Sequence, residues 1–298
     1  MEQRIGMIGI GLMGHGIARN ILKRGYPLTV VEHPGNQPLG ELRAGGVTTV
    51  TSGEALAREV DAIILCVTGS PEVEAVLTAP LGVLAGLQPG TIVIDCSTAV
   101  PHSSLQMAAL VEKAGGRFVD APMTRGAKEA HEGRLNLLVG ADPALFQHIK
   151  PLLSSFAENV VLVGGTGSGH SMKLLHNFVS LGTIALLSEA AACAKRTGVD
   201  IEGFIDVLAK GGGAGAALER LRPLLLTGDT SGLPFHMSNA LKDLSYYVSM
   251  TDSNNAPDAI ATAVKSTFAG AVEQVGALCP LLDLPNFLAG TARGNRVE

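Results

Sequence analysis

The stretch Ile5–Gly14, which reads IGMIGIGLMG, decides the fold of the first half of the chain. Its apolar beginning belongs to the run Arg4–Gly9, which predicts a buried β-strand. The segment Leu12–Arg24 follows directly and predicts a helix. A glycine-rich turn therefore joins a strand to a helix at the start of the chain, as in an α/β fold.

The turn carries three glycines in the spacing GxGxxG, at Gly9, Gly11 and Gly14. In a nucleotide-binding turn, the first glycine permits the tight turn, the second lets the backbone approach a pyrophosphate, and the third lets the helix pack on the sheet. The N–H groups of Leu12 and Met13, at the helix N-terminus, add donors for the phosphates. The alternative is a tight turn that binds nothing, and the surrounding strand, helix and acidic residue argue against it.

That acidic residue is Glu32, at the end of the next predicted strand, Leu28–Glu32. Its carboxylate can accept hydrogen bonds from the hydroxyls of an adenosine ribose, and its charge would repel a 2′-phosphate. The pattern therefore predicts that the cofactor is NAD rather than NADP. His33 beside it would weaken this preference if the imidazole were protonated.

The rest of the first half alternates apolar runs with helical segments. This alternation predicts a doubly wound, mainly parallel sheet with helices on both faces, which is a Rossmann domain. Further strands are predicted at Ala62–Val67, Ile92–Asp95, Arg117–Asp120, Leu135–Gly140 and Val160–Val163, and helices at His102–Ala114 and Pro143–Phe156.

The pattern changes after Val163, where the loop Gly164–Gly169 precedes a helix predicted from His170 to Arg196. No convincing strand follows it, so we predict an all-α second domain that the long helix joins to the first. The predicted domains are 1–164 for cofactor binding and 165–298 for substrate binding and oligomerisation. The later predicted helices are Ile201–Ala209, Ala216–Leu226, Ser238–Thr251 and Asp258–Gln274.

Composition excludes several classes of protein. The chain has 298 residues, of which 46% are hydrophobic and 16% charged, so it is not a disordered chain. A net charge of −5 argues against binding nucleic acid by bulk electrostatics. The 4 cysteines form no CxxC pair, so neither a disulfide scaffold nor a metal site is predicted. No apolar run reaches the roughly 18 residues of a membrane helix, and no signal peptide is recognisable. We therefore expect a soluble, cytoplasmic protein without a membrane partner.

Lys173 and Asn177 lie one helical turn apart on the same face of the predicted long helix. A lysine ammonium in such a position can protonate a carbonyl oxygen as hydride arrives, and an amide can orient the substrate. From this stretch alone, an exposed lysine on a solvated helix face is the better interpretation, since lysine is mostly a surface residue.

Three stretches together resemble the β-hydroxyacid dehydrogenases, the family of 3-hydroxyisobutyrate dehydrogenase and tartronate semialdehyde reductase. The first is Ile8–Asn20, IGIGLMGHGIARN, which is similar to the opening fingerprint of the family. The second combines Asp95–Thr98 (DCST), Pro101 and Asp120–Pro122 (DAP). The third is Gly167–Lys173 (GSGHSMK) with Asn177, and a later Lys242-Asp243-Leu244 is similar to the KDL of the family.

The resemblance implies a hydride transfer between NAD(H) and a small anionic 3-hydroxy acid or the matching aldehyde acid. Lys173 would be the general acid/base and Asn177 would position the substrate. The resemblance also implies cofactor contacts at Val67, Thr68, Thr98 and Lys242, and substrate contacts at Ser97, Thr124, Arg125 and Gly126. Such enzymes are usually dimers or tetramers through the helical domain, so a homodimer or homotetramer is expected.

The segment after DAP departs from the family pattern. The usual V-S-G-G is replaced by Met123-Thr124-Arg125-Gly126, and a later family glycine is Glu129. The first asparagine of the helix motif is His176. A guanidinium in the substrate loop can bind an anionic group with two parallel hydrogen bonds. A similar change is a feature of sulfolactaldehyde reductases, so a sulfonated or dicarboxylic semialdehyde is an alternative substrate. The other interpretation of Arg125 is an ion pair with Glu129 or Glu132.

Two other functions compete with a hydroxyacid dehydrogenase. One is an NAD-binding sensor without catalysis, which has no need of Lys173 and Asn177. The other is the imine-reductase branch of related folds, which lacks a lysine at the position of Lys173. Both alternatives are therefore disfavoured by the same residues.

Overall fold

A nine-stranded β-sheet organises the first part of the computed structural model, which describes residues 3–291. The order of the strands is β3-β2-β1-β4-β5-β6-β8-β7, and β9 pairs with β8. The strands from β3 to β6 run parallel, whereas β8 is antiparallel to β6 and β7 and parallel to β9. The strands are β1 (Ile5–Ile8), β2 (Leu28–Val31), β3 (Thr48–Val50), β4 (Ala62–Leu65), β5 (Ile92–Asp95), β6 (Arg117–Asp120), β7 (Met123–Thr124), β8 (Leu135–Gly140) and β9 (Ala157–Gly164).

The central strands β1, β4 and β5 are buried along their whole length. Continuous apolar runs of this kind are typical of parallel strands that are covered on both faces. Two short strands were not predicted, because β3 reads Thr-Thr-Val at an edge of the sheet and β7 has only two residues. Neither gives a periodic signal long enough to recognise.

Two separate apolar cores lie against the sheet. One packs Ile17 and Ile21 of α1 and Ile149 of α8 against the strands, and the other packs Val73 of α4 and Val111 of α6. The doubly wound α/β architecture predicted from the sequence is thereby confirmed. The helices of this unit are α1 (Leu12–Lys23), α2 (Gly40–Ala44), α3 (Gly53–Ala57), α4 (Ser70–Thr78), α5 (Val83–Gly86), α6 (Pro101–Lys113), α7 (Ala127–Glu132) and α8 (Pro143–Leu153).

The second half is helical throughout its described residues, as predicted. Its core is built from Leu181 and Ile184 of α9, Leu221 of α11, Leu244 of α12 and Phe268 of α13. The helices are α9 (Ser168–Thr197), α10 (Ile201–Ala209), α11 (Ala216–Thr227), α12 (Met237–Ser253), α13 (Ala259–Val275) and α14 (Leu284–Ala289), with a 3₁₀ turn at Leu281–Asp283.

The long helix α9 is long and apolar enough, by length and composition alone, to cross a membrane. Half of its most apolar window is buried inside the protein, however. The core helix of a soluble protein has the same properties, so this is weak evidence for a membrane span.

The packing divides the chain into two units, one up to Lys173 and one from Leu174 onward. The sequence places the domain boundary at 164/165, in the loop that precedes α9. The division in the structure lies inside α9 instead, because Asp120 at the end of β6 binds the first turn of that helix through the N–H groups of Gly167 and His170.

Candidate functional site

The glycine-rich turn between β1 and α1 needs each of its three glycines for a different reason. Gly9 has a φ of +96°, and a Cβ there would lie 2.2 Å from the carbonyl oxygen of Cys66. A Cβ at Gly14 would lie 1.9 Å from the carbonyl oxygen of Gly9, so α1 packs directly on the turn. A Cβ at Gly11 would meet no atom within 4 Å. The backbone at Gly11 is therefore open to a ligand.

The open side of this turn faces the N-terminus of α1. Gly11 is the N-cap residue, and its lack of a side chain leaves the first N–H groups of the helix without a side-chain cap. The Leu12 side chain is 67% exposed. A cavity of about 400 Å³ lies beside it. Its walls are formed by Leu12, His15, Gln37, Pro38, Gly40, Glu41, Ala127 and His131. These features fit the pyrophosphate of a dinucleotide, since exposed N–H groups at a helix N-terminus bind anions.

Glu32, directly after β2, is held by two neighbours. Hydrogen bonds from the side chains of Thr49 and Arg43 lower the pKa of the Glu32 carboxyl, so it is ionised at neutral pH. Arg43 was not predicted as its partner, because it lies on α2, beyond the following loop. The same loop contacts the glycine-rich turn, where the Asn36 side chain accepts a hydrogen bond from the N–H of Ile10 at 3.3 Å.

The ends of β4 and β5 are joined by Ser97. Its hydroxyl accepts a hydrogen bond from the N–H of Val67 at 3.1 Å, and its own N–H donates to Asp95 Oδ1 at 2.9 Å. Thr68 is exposed and Thr98 is half-buried at this edge of the sheet. The structure thus brings four predicted site residues together at the carboxyl ends of two adjacent strands, where parallel α/β sheets bind ligands.

The segment Thr124–Gly126, which the family resemblance assigns to the substrate and which we call the substrate loop, begins at the buried Thr124 (8% exposed). Its hydroxyl accepts a hydrogen bond from the Asn136 side chain at 3.1 Å. The N–H of Gly126 donates to Glu129 Oε2 at 3.0 Å, and this bond lowers the pKa of the Glu129 carboxyl. Glu129 therefore caps the N-terminus of α7, which begins directly after the substrate loop.

Arg125 has a partner that neither interpretation of the sequence named. Its guanidinium donates to the carboxylate of Glu158 on β9 and to the carbonyl oxygen of Arg134. The expected ion pair with Glu129 or Glu132 is wrong, because Glu129 binds Gly126 and Glu132 binds Arg134. Arg125 also has a φ of +77°, a backbone conformation that favours the glycine it replaces in the family pattern.

Lys173 lies in the second turn of α9, within the first unit, and is half-buried. Its Nζ donates a hydrogen bond to the carbonyl oxygen of Met123, on β7, at 2.7 Å. Met123 immediately precedes Thr124, so this bond places the ammonium group beside the beginning of the substrate loop. The interpretation of Lys173 as an ordinary exposed surface residue is therefore wrong.

Asn177, Lys242 and Asp243 meet in the second unit. Asn177 Nδ2 donates to Asp243 Oδ2 at 2.6 Å, and Lys242 Nζ lies 3.3 Å from Asp243 Oδ1. Asp243 is 4% exposed and links the two predicted site residues. The sequence analysis noted this aspartate within KDL but assigned it no role, because nothing local shows that it faces Asn177.

Comparison with known proteins adds the family. Residues 4–165 match the family described as the NAD binding domain of 6-phosphogluconate dehydrogenase, and residues 167–278 match the one described as NAD-binding of NADP-dependent 3-hydroxyisobutyrate dehydrogenase. The chain is 31% identical to 2-(hydroxymethyl)glutarate dehydrogenase of Eubacterium barkeri, over 90% of this chain and 88% of that protein. The chain belongs to the β-hydroxyacid dehydrogenase family.

A further relative agrees with this assignment, and a solved structure shares the fold. The 2-hydroxy-3-oxopropionate reductase of Escherichia coli K12 is 32% identical over 66% of this chain and 67% of that protein. The structure of Mycobacterium tuberculosis 3-hydroxyisobutyrate dehydrogenase with L-serine has a TM-score of 0.87 at 23% identity, covering 97% of this chain and 99% of that one, which shows a common fold.

As a β-hydroxyacid dehydrogenase, the chain is an oxidoreductase with NAD(P)-binding domains, and the predicted class of enzyme is confirmed. Within residues 3–291, no group of three or more His, Cys, Asp or Glu side chains is arranged to hold a metal ion. The first unit therefore carries the glycine-rich turn, the ends of the parallel strands, the substrate loop and Lys173. The second unit carries a separate group, Asn177, Asp243 and Lys242.

Proposed function

We propose that the enzyme transfers a hydride between NAD(H) and a small anionic 3-hydroxy acid or the matching aldehyde acid, with Lys173 as the general acid/base. The observation that carries the proposal is the 2.7 Å hydrogen bond from Lys173 Nζ to the Met123 carbonyl. It fixes a potential proton donor beside the loop in which the family pattern holds the substrate. An ordinary surface lysine would have no such fixed position.

The bound cofactor supplies or accepts the hydride. In the direction of oxidation, the hydroxyl proton of the substrate passes to the neutral Lys173 amine, while the carbon that bears this hydroxyl gives its hydride to the cofactor. In reduction, the Lys173 ammonium gives its proton to the carbonyl oxygen, and its charge stabilises the developing alkoxide. Asn177, held by Asp243, orients the substrate, and Lys242 contacts the cofactor.

The substrate loop supports a carboxylate at one end of the substrate. Ser97 and Thr124 supply hydroxyl groups, and the N–H of Gly126 would have to exchange Glu129 for the substrate. The second candidate substrate, a dicarboxylic or sulfonated semialdehyde, is supported by the guanidinium of Arg125. The name of the Eubacterium relative also contains a dicarboxylic compound, 2-(hydroxymethyl)glutarate. A distal anionic group would have to share Arg125 with Glu158 or displace that carboxylate.

For the cofactor we propose NAD in preference to NADP. The ionised carboxylate of Glu32 suits the ribose hydroxyls and repels a 2′-phosphate. Arg43 favours the opposite choice, since a guanidinium binds phosphate well. It is already paired with Glu32, however, so its guanidinium is not free to bind a 2′-phosphate while that ion pair is intact.

We also propose that the enzyme is a soluble, cytoplasmic homodimer or homotetramer that associates through its second unit. Large apolar side chains of this unit are exposed, and such surfaces commonly mark interfaces between subunits. Among them are Val179 at 65%, Leu186 at 71%, Val207 at 71% and Ile260 at 72% exposure.

The proposed chemistry is tested with Lys173→Ala. We expect kcat to fall by roughly 10²–10⁴ while the dissociation constant of NAD stays unchanged, because only the proton transfer is lost. The matched control is Lys113→Ala, which removes an exposed lysine of α6. The substrates are 3-hydroxyisobutyrate, tartronate semialdehyde, 2-(hydroxymethyl)glutarate and a sulfonated hydroxy acid, assayed by NADH absorbance.

The same assay decides between the candidate functions. If the enzyme turns over none of these compounds but binds NAD tightly, the result would favour the non-catalytic NAD-binding sensor. A Lys173→Ala enzyme with normal kcat would show that another group moves the proton.

A further inference from the structure

We propose that His170 is a positioning residue that fixes Lys173 relative to the Ser97–Thr98 loop. The inference rests on the proposed function, in which Lys173 is the general acid/base. His170 begins the turn of α9 that leads to Lys173, and its side chain is 0% exposed. A polar ring in a fully buried position requires hydrogen-bond partners.

Both ring nitrogens have such partners. Nε2 lies 3.2 Å from the carbonyl oxygen of Ser97, and Nδ1 lies 2.7 Å from Oγ of Ser104 on α6. Because a carbonyl oxygen only accepts, Nε2 carries a proton and donates it. With one proton on the ring, Nδ1 then accepts from the Ser104 hydroxyl at 2.7 Å, in competition with the Val100 carbonyl oxygen at 3.2 Å. The imidazole thus bridges the end of β5 and α6, two segments far from it in sequence.

The backbone of the same turn is held as firmly. Asp120, which is 0% exposed, accepts from the N–H of Gly167 at 2.7 Å and from the N–H of His170 at 2.8 Å. A Cβ at Gly169 would lie 2.4 Å from the carbonyl oxygen of Leu138, so the helix starts in direct contact with β8. The first turn of α9 is therefore fixed to β6 and β8 by its backbone and to the end of β5 by the His170 side chain.

Two buried carboxylates face the ring. Asp95 Oδ2 lies 3.8 Å from Nε2, and Asp120 Oδ2 lies 3.8 Å from Nδ1. Asp95 Oδ2 has no hydrogen-bond partner among the described residues, while Asp95 Oδ1 holds the N–H of Ser97. An apolar side chain at His170 would take away the polar ring that both carboxyl groups now face, and buried polar groups are costly without such neighbours. Asp95, and with it the Ser97 loop, is therefore coupled to α9 through His170.

These contacts determine the position of Lys173, which lies one turn further along the helix. Its Nζ is placed by the course of α9 and by the Met123 carbonyl. A displacement of about 1 Å between a proton donor and the reacting atoms can cost roughly 10²-fold in rate. Loosening His170 would let the first turn of α9 move relative to Ser97 and Thr98, where we place the substrate and cofactor.

The test compares His170→Gln with His170→Leu. Glutamine keeps one donor and one acceptor without a charge, whereas leucine keeps approximately the volume and neither polar atom. We expect His170→Leu to lower kcat by about 10–100-fold with little change in the dissociation constant of NAD, and His170→Gln to recover most of the loss. The assay uses the compound from the panel above with the highest kcat/KM. Equal kcat in wild type and His170→Leu would overturn the proposal.

A double-mutant cycle separates positioning from a general loss of structure. In the Lys173→Ala background, His170→Leu should lower the residual kcat by less than about two-fold, since there is no amine left to misplace. A loss of the same factor with and without Lys173 would show that His170 acts on something else. If Lys173→Ala itself has normal kcat, the proposed function fails, whatever His170 does.

A measurement without substrate checks the position of the amine directly. Enzyme made with [13Cε]lysine gives one NMR cross-peak per lysine, and the Lys173 peak is assigned by its absence in Lys173→Arg. We expect this peak to move in His170→Leu and in Ser104→Ala, which removes only the hydroxyl opposite Nδ1, and to return in His170→Gln. The peaks of Lys23 and Lys113 serve as internal references. A Lys173 peak that stays fixed in both disrupting variants would refute the positioning role.

Discussion

Gly11 and Gly14 lie three residues apart in the same turn, yet an alanine should lower the stability of the protein at Gly14 and the affinity for NAD at Gly11. A Cβ at Gly14 would lie 1.9 Å from the carbonyl oxygen of Gly9, far inside van der Waals contact. The clash is with a backbone atom rather than with the end of a flexible side chain, so α1 would have to move away from the turn. A Cβ at Gly11 would meet nothing within 4 Å, so the protein itself accommodates it.

The expected magnitudes follow from these contacts. Overpacking of a tightly packed site costs about 3 kcal/mol at the upper end of the usual range, so Gly14→Ala should lower Tm by about 5–10 °C. Gly11→Ala should change Tm by no more than about 2 °C, as expected for an open surface position. Its methyl group would instead keep the pyrophosphate from the N–H groups of α1. Losing one such charge-assisted hydrogen bond, worth about 1.5–3 kcal/mol, should raise the dissociation constant of NAD by about 10–150-fold.

Thermal unfolding of the apo-proteins and calorimetric titration with NAD measure the two effects separately. Gly270→Ala is the matched control, because its Cβ also meets nothing within 4 Å and it lies on α13, in the second unit. It should leave NAD binding unchanged and, as an alanine in a helix, raise Tm slightly. Normal NAD affinity in Gly11→Ala would refute the assignment of this turn to the pyrophosphate. A normal Tm in Gly14→Ala would refute the close-packing argument.

Three further perturbations test the cofactor preference, the substrate loop and the buried thiol. Glu32→Ala removes the acceptor for the ribose hydroxyls and releases Arg43 to bind a 2′-phosphate. The ratio of kcat/KM for NAD to kcat/KM for NADP should therefore fall by about ten-fold or more. An unchanged ratio would contradict the role of Glu32. Arg125→Gly should lower kcat/KM for the dicarboxylic and sulfonated substrates by about ten-fold relative to 3-hydroxyisobutyrate. Glu158→Gln should raise kcat/KM for the same substrates, because it frees the guanidinium. If wild type and both variants rank the substrates identically, the role of Arg125 is purely structural. Burial raises the pKa of the Cys96 thiol well above its usual value, so iodoacetamide at about pH 8 should modify Cys96 only after unfolding, as mass spectrometry can show; rapid alkylation of the native protein would contradict its burial.

The sequence predicted most long elements closely. The helix Ile201–Ala209 has the predicted bounds, and the strands Ile92–Asp95 and Arg117–Asp120 do as well. The two strands are short apolar runs that follow Pro89-Gly90 and Gly115-Gly116, and the helix ends just before Gly211, which is local information. The division of the packing inside α9 depends instead on which strands the first turn of that helix contacts.

The candidate site also has a part that the sequence predicts and a part that it does not. The glycines of the first turn could be recognised because their spacing and their place between strand and helix are contained in ten consecutive residues. The partners of the charged groups could not. Arg125 pairs with Glu158 and Asn177 with Asp243, and in each case the two residues are more than thirty positions apart.

The sequence by itself therefore determined the class of fold and the glycine-rich cofactor turn. These depend on interactions between near neighbours, whose geometry a strand or helix imposes wherever it forms. The residues proposed for hydride transfer came from the resemblance of the sequence to a known family. Only the tertiary structure decided what each charged group binds. It paired Glu32 with Arg43, directed Arg125 to Glu158 and buried His170 between Ser97 and Ser104. Such partners are chosen by how strands and helices pack, and no short stretch of sequence records that arrangement.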